Sequence, residues 1–173
     1  IVLFGLFIAY GGATGALGRG AEAVPLFLFA VPGPVLGIGL ISLWSRSATS
    51  AVYGTPLILL FGLLAQYAIL GVWVAKAALA SIPRSLEEAA AGTGAGWARR
   101  LMFITTPLAW KGIVGAWFLA FLFCLRDTGI AMVVYPPGRD TFTVRLFTMM
   151  ANGRPEVIAA LCTLILLSVG IPF

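Results

Sequence analysis

Few side chains in this sequence are of the types that do chemistry. There is no histidine, and aspartate and glutamate together number six. A catalytic zinc centre of the usual kind combines imidazole with carboxylate, and a serine nucleophile needs a histidine base. Neither can be assembled without histidine. A paired-aspartate centre would have only Asp127 and Asp140 to draw on, and Asp140 falls in an expected loop. Cys124 and Cys162 each lie in an apolar segment with no second cysteine at ligand spacing, and read as inert core thiols. The stretch GTGAG (92–96) lacks the Lys-Ser/Thr of a phosphate-binding loop, and no such loop occurs elsewhere. It also lacks the preceding strand and further glycine of a dinucleotide fingerprint. The inventory speaks against an intramembrane enzyme.

The elements that must carry these residues are apolar. Hydrophobic residues make up 61% of the 173 positions and charged ones 10%. The mean hydropathy is +1.05. A soluble domain carries about a quarter charged residues, so the solvent of this chain is a bilayer. The glycine and proline content, 21 and 10 residues, agrees with that, and the net charge of +5 fits loops facing anionic headgroups rather than nucleic acid. A spanning helix needs about 20 apolar residues. Five candidate spans follow: residues 1–18, 23–44, 54–75, from Pro107 to Leu125, and from Pro155 onward. The expected fold class is an all-α polytopic helical bundle, residues 1–173 forming one transmembrane domain. With no initial methionine and apolar runs at both ends, the sequence reads as part of a longer frame. A signal peptide over 1–17 is the alternative, but no basic segment precedes it.

Between spans three and four lies SLEEAAAGTGAG (85–96), a polar break in the apolar text. Ser85 with Glu88 fits a capping box, Pro83 suits a helix start, and Ala89 to Ala91 give a short helix with a smooth surface. Gly92 or Gly94 can end it. Trp97 to Phe103 then forms a second helical piece leading to Pro107. A small-residue helix on such a loop is shaped for a groove on a partner.

Glu88-Ala89-Ala90, then Gly94, Ile104 and Pro107, resemble the Glu-Ala-Ala loop of ATP-binding-cassette importer permeases. Thr106 stands where that pattern usually has leucine. Pro32-Gly33 with Gly37 and Gly39 resembles a further span of the family. LRDTGIAMVVYPPGRDTFTVRLF (125–147) resembles the ferric-iron-type permeases. The resemblance implies a type I importer transmembrane fold with a cytoplasmic coupling loop over 81–107. It implies partners: ATPase subunits that bind ATP and Mg, an extracytoplasmic binding protein, and a second permease half or a homodimer partner. No cofactor is expected on this chain. A bacterial cytoplasmic membrane location follows, with ferric iron as the leading cargo. Thiamine, polyamine or phosphonate cargoes are the alternative, and a passive channel or scaffold is a further one.

Path residues are fewer. Pro25, Pro32 and Pro34 interrupt span two, which reads either as a kinked, tightly packed helix or as a broken helix lining a path. Gln66 either lines the path or bonds another helix. Asp127 is the acidic candidate, while Arg126 fits a snorkelling anchor. With the 81–107 loop inside, Arg19, Lys76, Arg84, Arg99, Arg100 and Lys111 are inside. Arg46, Arg139, Arg145 and Arg154 are outside, a six-to-four excess in the expected sense. Trp44 and Tyr53 then belong to the outer interface and Trp110 to the inner one. Tyr135-Pro136-Pro137-Gly138 reads as an outer turn.

Overall fold

A computed structural model describes residues 1–13, 20–47, 49–136, 138 and 140–170. The assignments of Arg19 and Arg139, the Pro137 step of the outer turn, and the ends of the first and last expected spans lie outside the described residues. Among the described residues every regular element is a helix. In order they are α1 (Val2–Ala13), α2 (Ala23–Ala30), α3 (Gly33–Trp44), α4 (Ser50–Tyr53), α5 (Leu57–Ala80), α6 (Arg84–Gly92) and α7 (Trp97–Arg100). A π-helical turn (Leu101–Thr105) follows, then α8 (Thr106–Leu108), α9 (Trp110–Leu125), α10 (Ala131–Val134), α11 (Phe142–Asn152) and α12 (Pro155–Gly170).

Helix α5 has 24 residues and is long and apolar enough to cross a membrane by itself. At 1.5 Å per residue it reaches about 36 Å, beyond the ~30 Å hydrocarbon layer. Two bent pairs, α2 with α3 and the Trp97–Leu108 stretch with α9, bring the number to three if each is one span. The fold is thus all-α and membrane-associated, with one to three candidate spans by length and composition. Among the described residues the expected count of five is not reached, because α1 and α12 have 12 and 16 residues there, short of a full crossing. Leu3, Phe27, Phe103 and Leu166 stand largely exposed, as side chains facing lipid do.

The chain packs as two compact units, each made from two stretches. Unit 1 joins 1–29 to 67–120. Its core sets Leu6, Ala9 and Tyr10 of α1 with Ile69 and Val72 of α5, all buried. Gly5 and Gly71 let these two helices touch: a β-carbon on Gly5 would run into the Gly71 backbone. Gly112 of α9 meets Ala78 of α5 as closely. Small residues at a crossing let backbones approach where lipid leaves little hydrophobic drive for association.

Unit 2 joins 30–66 to 121–173. Ile58, Ile130 and Val134 form its buried centre, with Leu40, Ile41 and Trp44 packed on them. Trp44 stacks on Phe61 with ring centroids 5.4 Å apart. Gly33 and Gly37, one helical turn apart, form the face of α3 that receives Gly129, Ile130 and Val133. Gly39 of the same motif meets nothing within 4 Å.

Candidate functional site

The 81–107 loop lies in unit 1. Its helix begins two residues earlier than the capping-box reading has it: Pro83, and not Ser85, is the N-cap, and no side chain caps the end. Proline, with its fixed φ of −59° and no amide hydrogen of its own, makes the entry, and its carbonyl accepts from Leu86 N at 3.2 Å. Glu88 therefore sits mid-helix, exposed, rather than folded back over the N-terminus. Ser85, Leu86, Ala89, Ala91 and Gly92 are exposed as well, so α6 presents most of its circumference.

The C-terminal stop belongs to Gly94, whose φ is 79°. Gly94 N donates to Ala91 O at 3.0 Å and Ala95 N to Ala90 O at 3.3 Å. These are the paired bonds of a Schellman end, which needs a left-handed residue between them. Gly92 remains helical. Trp97 then fixes the second half of the loop, its ring 5.4 Å from both Phe7 and Tyr10 of α1.

Pro107 shapes the exit. Its missing amide and its ring disturb the preceding turn, and the chain adopts a π-helical turn there before bending by 82° into α9. Thr106, the departure from the usual leucine, donates its hydroxyl to Leu101 O at 2.7 Å, a five-residue reach that matches the widened register. The straight part of the fourth expected span accordingly starts at Trp110, not Pro107. The signal for this turn was the proline itself; Trp97 as an anchor had none.

Glu88 and Ile104, separated by the whole motif, line one cavity of about 950 Å³ within unit 1. Arg100 joins them, as do Lys76 and Glu22, which form an ion pair at 2.8 Å. Ala89, Gly94 and Pro107 are exposed.

The four path candidates meet in unit 2. Helix α3 starts after a break at Val31-Pro32, and Val35 and Leu36 both donate to Pro32 O. Gln66, buried on α5, donates its Nε2 to the Val31 carbonyl at 3.1 Å. The Cβ position of Gly33 lies 3.2 Å from Ile130 N. Asp127, 8% exposed, accepts with Oδ1 from that same amide and from Ala131 N, both at 3.1 Å. Asp127 thus caps α10, as aspartate does at helix starts, and its own carbonyl accepts from the Thr143 hydroxyl at 2.8 Å. A smaller cavity of about 310 Å³ is lined by Asp127, Asp140, Thr141 and Thr143 with Leu59 and Leu63. Arg126 is exposed, its guanidinium 5.4 Å from the Phe123 ring centre, which suits an anchor. Among the described residues no three His, Cys, Asp or Glu side chains gather as a metal site.

No family model matches the chain. Individual proteins do. The putrescine transport system permease protein PotI of Escherichia coli K12 is 39% identical over 98 residues, 57% of this chain and 35% of that protein. The putative 2-aminoethylphosphonate transport system permease protein PhnV of Salmonella typhimurium is 29% identical over 143 residues, 81% of this chain and 52% of that protein. The putative ferric transport system permease protein FbpB 1 of Haemophilus influenzae is 27% identical over 130 residues, 75% of this chain and 20% of that protein. The chain thus spans about half the length, or less, of the curated relatives it matches. All three are named as transport-system permease proteins. Ferric transport is one name among several and has the lowest identity of the three, so the leaning to the ferric type narrows no further than the permeases together. The chain is a relative of transport-system permease proteins named for putrescine, 2-aminoethylphosphonate and ferric transport, and not of the ferric type in particular.

Proposed function

We propose that this chain is part of the membrane-spanning permease subunit of an ATP-driven, ABC-type importer in the bacterial inner membrane. On this reading the chain is one multi-pass permease domain and α6 docks on a cytoplasmic ATPase subunit. The observation that carries it is α6 itself: a nine-residue helix, exposed on most sides, stopped by a left-handed glycine at the motif position and followed by a proline-bent exit. Glu88 capping its own helix would need none of this, and here Glu88 does not cap. ATP-driven closure of the paired ATPases moves α6 as a rigid body, and the Trp97 contact with α1 carries part of that motion to α1. The partners are an ATPase pair holding ATP and Mg, an extracytoplasmic binding protein, and a second permease half or a second copy. Replacing Glu88 and Gly94 together (Glu88→Ala, Gly94→Val) is expected to uncouple ATP hydrolysis from uptake while the subunit stays in the membrane. Unchanged uptake with unchanged ATPase association would reject the docking role.

The cargo on this reading is a small organic amine rather than ferric iron. Putrescine and 2-aminoethylphosphonate, named for the relatives at 39% and 29% identity, both carry a primary amine. The cavity beside Asp127 and Asp140 offers carboxylates and threonine hydroxyls among apolar walls, a set that suits an ammonium group. Uptake of labelled putrescine, 2-aminoethylphosphonate and ferric iron by the reconstituted importer decides among them, and transport of iron alone would restore the ferric reading drawn from 125–147. In the same assay Asp127→Asn keeps an acceptor for the α10 amides but loses the charge, so it is expected to slow amine uptake without loss of fold.

A further inference from the structure

We infer that the Trp97–Leu108 stretch lies in the plane of the membrane surface as an interfacial anchor. Met102 and Phe103 dip into the acyl layer, and the stretch ties α6 to the bilayer. This requires α5 to cross a bilayer and is independent of what α6 docks on.

Helix α5 sets the level of the stretch. It outreaches the apolar layer, so its ends stand at the headgroups. Lys76, near its C-terminal end, makes a half-exposed ion pair with Glu22 at 2.8 Å, as a cation at headgroup level can. Close to that end Ala78 meets Gly112 of α9, and Ala75 and Ala116, about one turn deeper on each helix, are both buried. Helix α9 therefore starts near the surface where α5 ends, and runs beside α5 into the bilayer. The Trp97–Leu108 stretch makes 82° with α9, so it runs along that surface and not across the bilayer.

The side chains of the stretch suit that place. One face packs on protein: Thr105 is buried, Arg100, Leu101 and Ile104 are half-buried, and Trp97 rests on Phe7 and Tyr10. The other face carries Arg99, Met102 and Phe103, the last two 68% and 73% exposed. A division of this kind, apolar side chains beside a cation, is that of a helix lying in the interface. In sequence the apolar surface continues through exposed Leu108 into a stripe of α9, where Trp110, Val114 and Trp117 recur at helical spacing and are all exposed. Ala109, Ala116 and Ala120 on the other side of α9 are buried, so that stripe is the face turned to lipid. Trp110 is a ring of the type that settles at the interface, and Arg99 and Lys111, both exposed, have stems long enough to reach the headgroups. Only Thr93 to Gly96 separate the polar α6 from Trp97, which is how the anchor ties α6 to the membrane.

The test measures depth by spin labelling of the full-length protein in phosphatidylcholine nanodiscs, purified with the subunits that accompany it. The native cysteines, Cys124 and Cys162 among them, are replaced by alanine. Single nitroxide labels are then set by Arg99→Cys, Met102→Cys, Phe103→Cys, Trp117→Cys or Arg46→Cys, the last as a reference in the turn after α3. Every labelled side chain is exposed, so the labels leave the packing in place. Power saturation compares collisions with oxygen, which concentrates in acyl chains, and with a nickel chelate, which stays in water. The oxygen-to-chelate ratio at 102 and 103 is expected to exceed that at 46 severalfold. Labels at 99, 102 and 103 should report one shallow depth, and the label at 117 a greater one. Chelate access at 102 and 103 equal to that at 46 would place this face in water and overturn the anchor. Protection from both reagents would show that a protein subunit covers it, and would overturn the lipid as partner. A depth change of about 6 Å between 99 and 103, the rise of four helical residues, would make the stretch part of a span instead.

Discussion

Helices are interrupted in both units, and the two interruptions are made good in opposite ways. In unit 1 the end of α6 is exposed, and its loose carbonyls are taken by the backbone of the next two residues through one left-handed glycine. In unit 2 the start of α10 is buried, while at the break before α3 Val31 is half-buried and Pro32 exposed, and side chains serve both: Gln66 at Val31, and Asp127 at Ile130 and Ala131. A backbone group in apolar surroundings needs a partner wherever it is found. At the exposed end of α6 the backbone suffices; in unit 2 a polar side chain is supplied, by Asp127 from the turn before and by Gln66 from another helix. A polar residue inside an apolar span can therefore be structural mortar and still border a path.

The sharpest break of this comparison is at Asp127. Asp127→Ala removes the acceptor of two amides in unit 2 and is expected to cost about 1–3 kcal/mol for each one left without a partner. Asp127→Asn keeps a side-chain oxygen at the same place and should lose much less. Thermal unfolding of both variants in detergent, followed by tryptophan fluorescence, reads the difference. If alanine and asparagine destabilise equally, the charge and not the cap holds this residue.

A smaller effect, with a change of sign, is expected in unit 1. Gly94→Ala forces a β-carbon into a φ of 79°, which costs about 1–2 kcal/mol for a residue other than glycine. Gly92, two residues earlier, is helical and a β-carbon there meets nothing within 4 Å. Gly92→Ala should instead stabilise α6, by up to about 1 kcal/mol. Amide hydrogen exchange across 84–95 measures both: faster in the first, slower in the second. The same direction in both would show that the glycines act together as a hinge.

The same contrast explains what could be read in the sequence. The loop, its glycine stop and the uninterrupted α5 were legible because each rests on neighbours: alanines beside each other, a glycine at a helix end, an apolar run. Gly94 was one of two named options, and only its φ chose between them. The start of α6 was misplaced because a capping box is local chemistry that a proline two residues earlier overrides. Span two was seen to be broken, but that Gln66 serves the break depends on which face of α5 meets Val31, a matter of packing between residues 35 positions apart. Asp127 was set aside for the path because an acid at membrane depth is costly. The amides that justify it lie three and four residues onward, within sight of the sequence, in a helix of four residues too short for periodicity to reveal.

Gln66 gives the finest test. Its Nε2 bond to the Val31 carbonyl is one neutral hydrogen bond, worth about 1 kcal/mol net. Gln66→Leu should cost about that much, because a carbonyl that loses its donor in unit 2 has no amide of its own to turn to once Pro32 and Pro34 have removed theirs. Gln66→Glu is the discriminating partner: in its ionised form the new carboxylate can only accept, so it faces the Val31 oxygen with no proton to offer and should destabilise more than leucine does. Lowering the pH protonates that glutamate and restores a donor, so the melting temperature of Gln66→Glu should rise as pH falls, while that of Gln66→Leu should not share the trend. A variant pair with no such pH dependence would mean that the Val31 carbonyl is served by something other than Gln66, and the contrast between the two units would lose its clearest example.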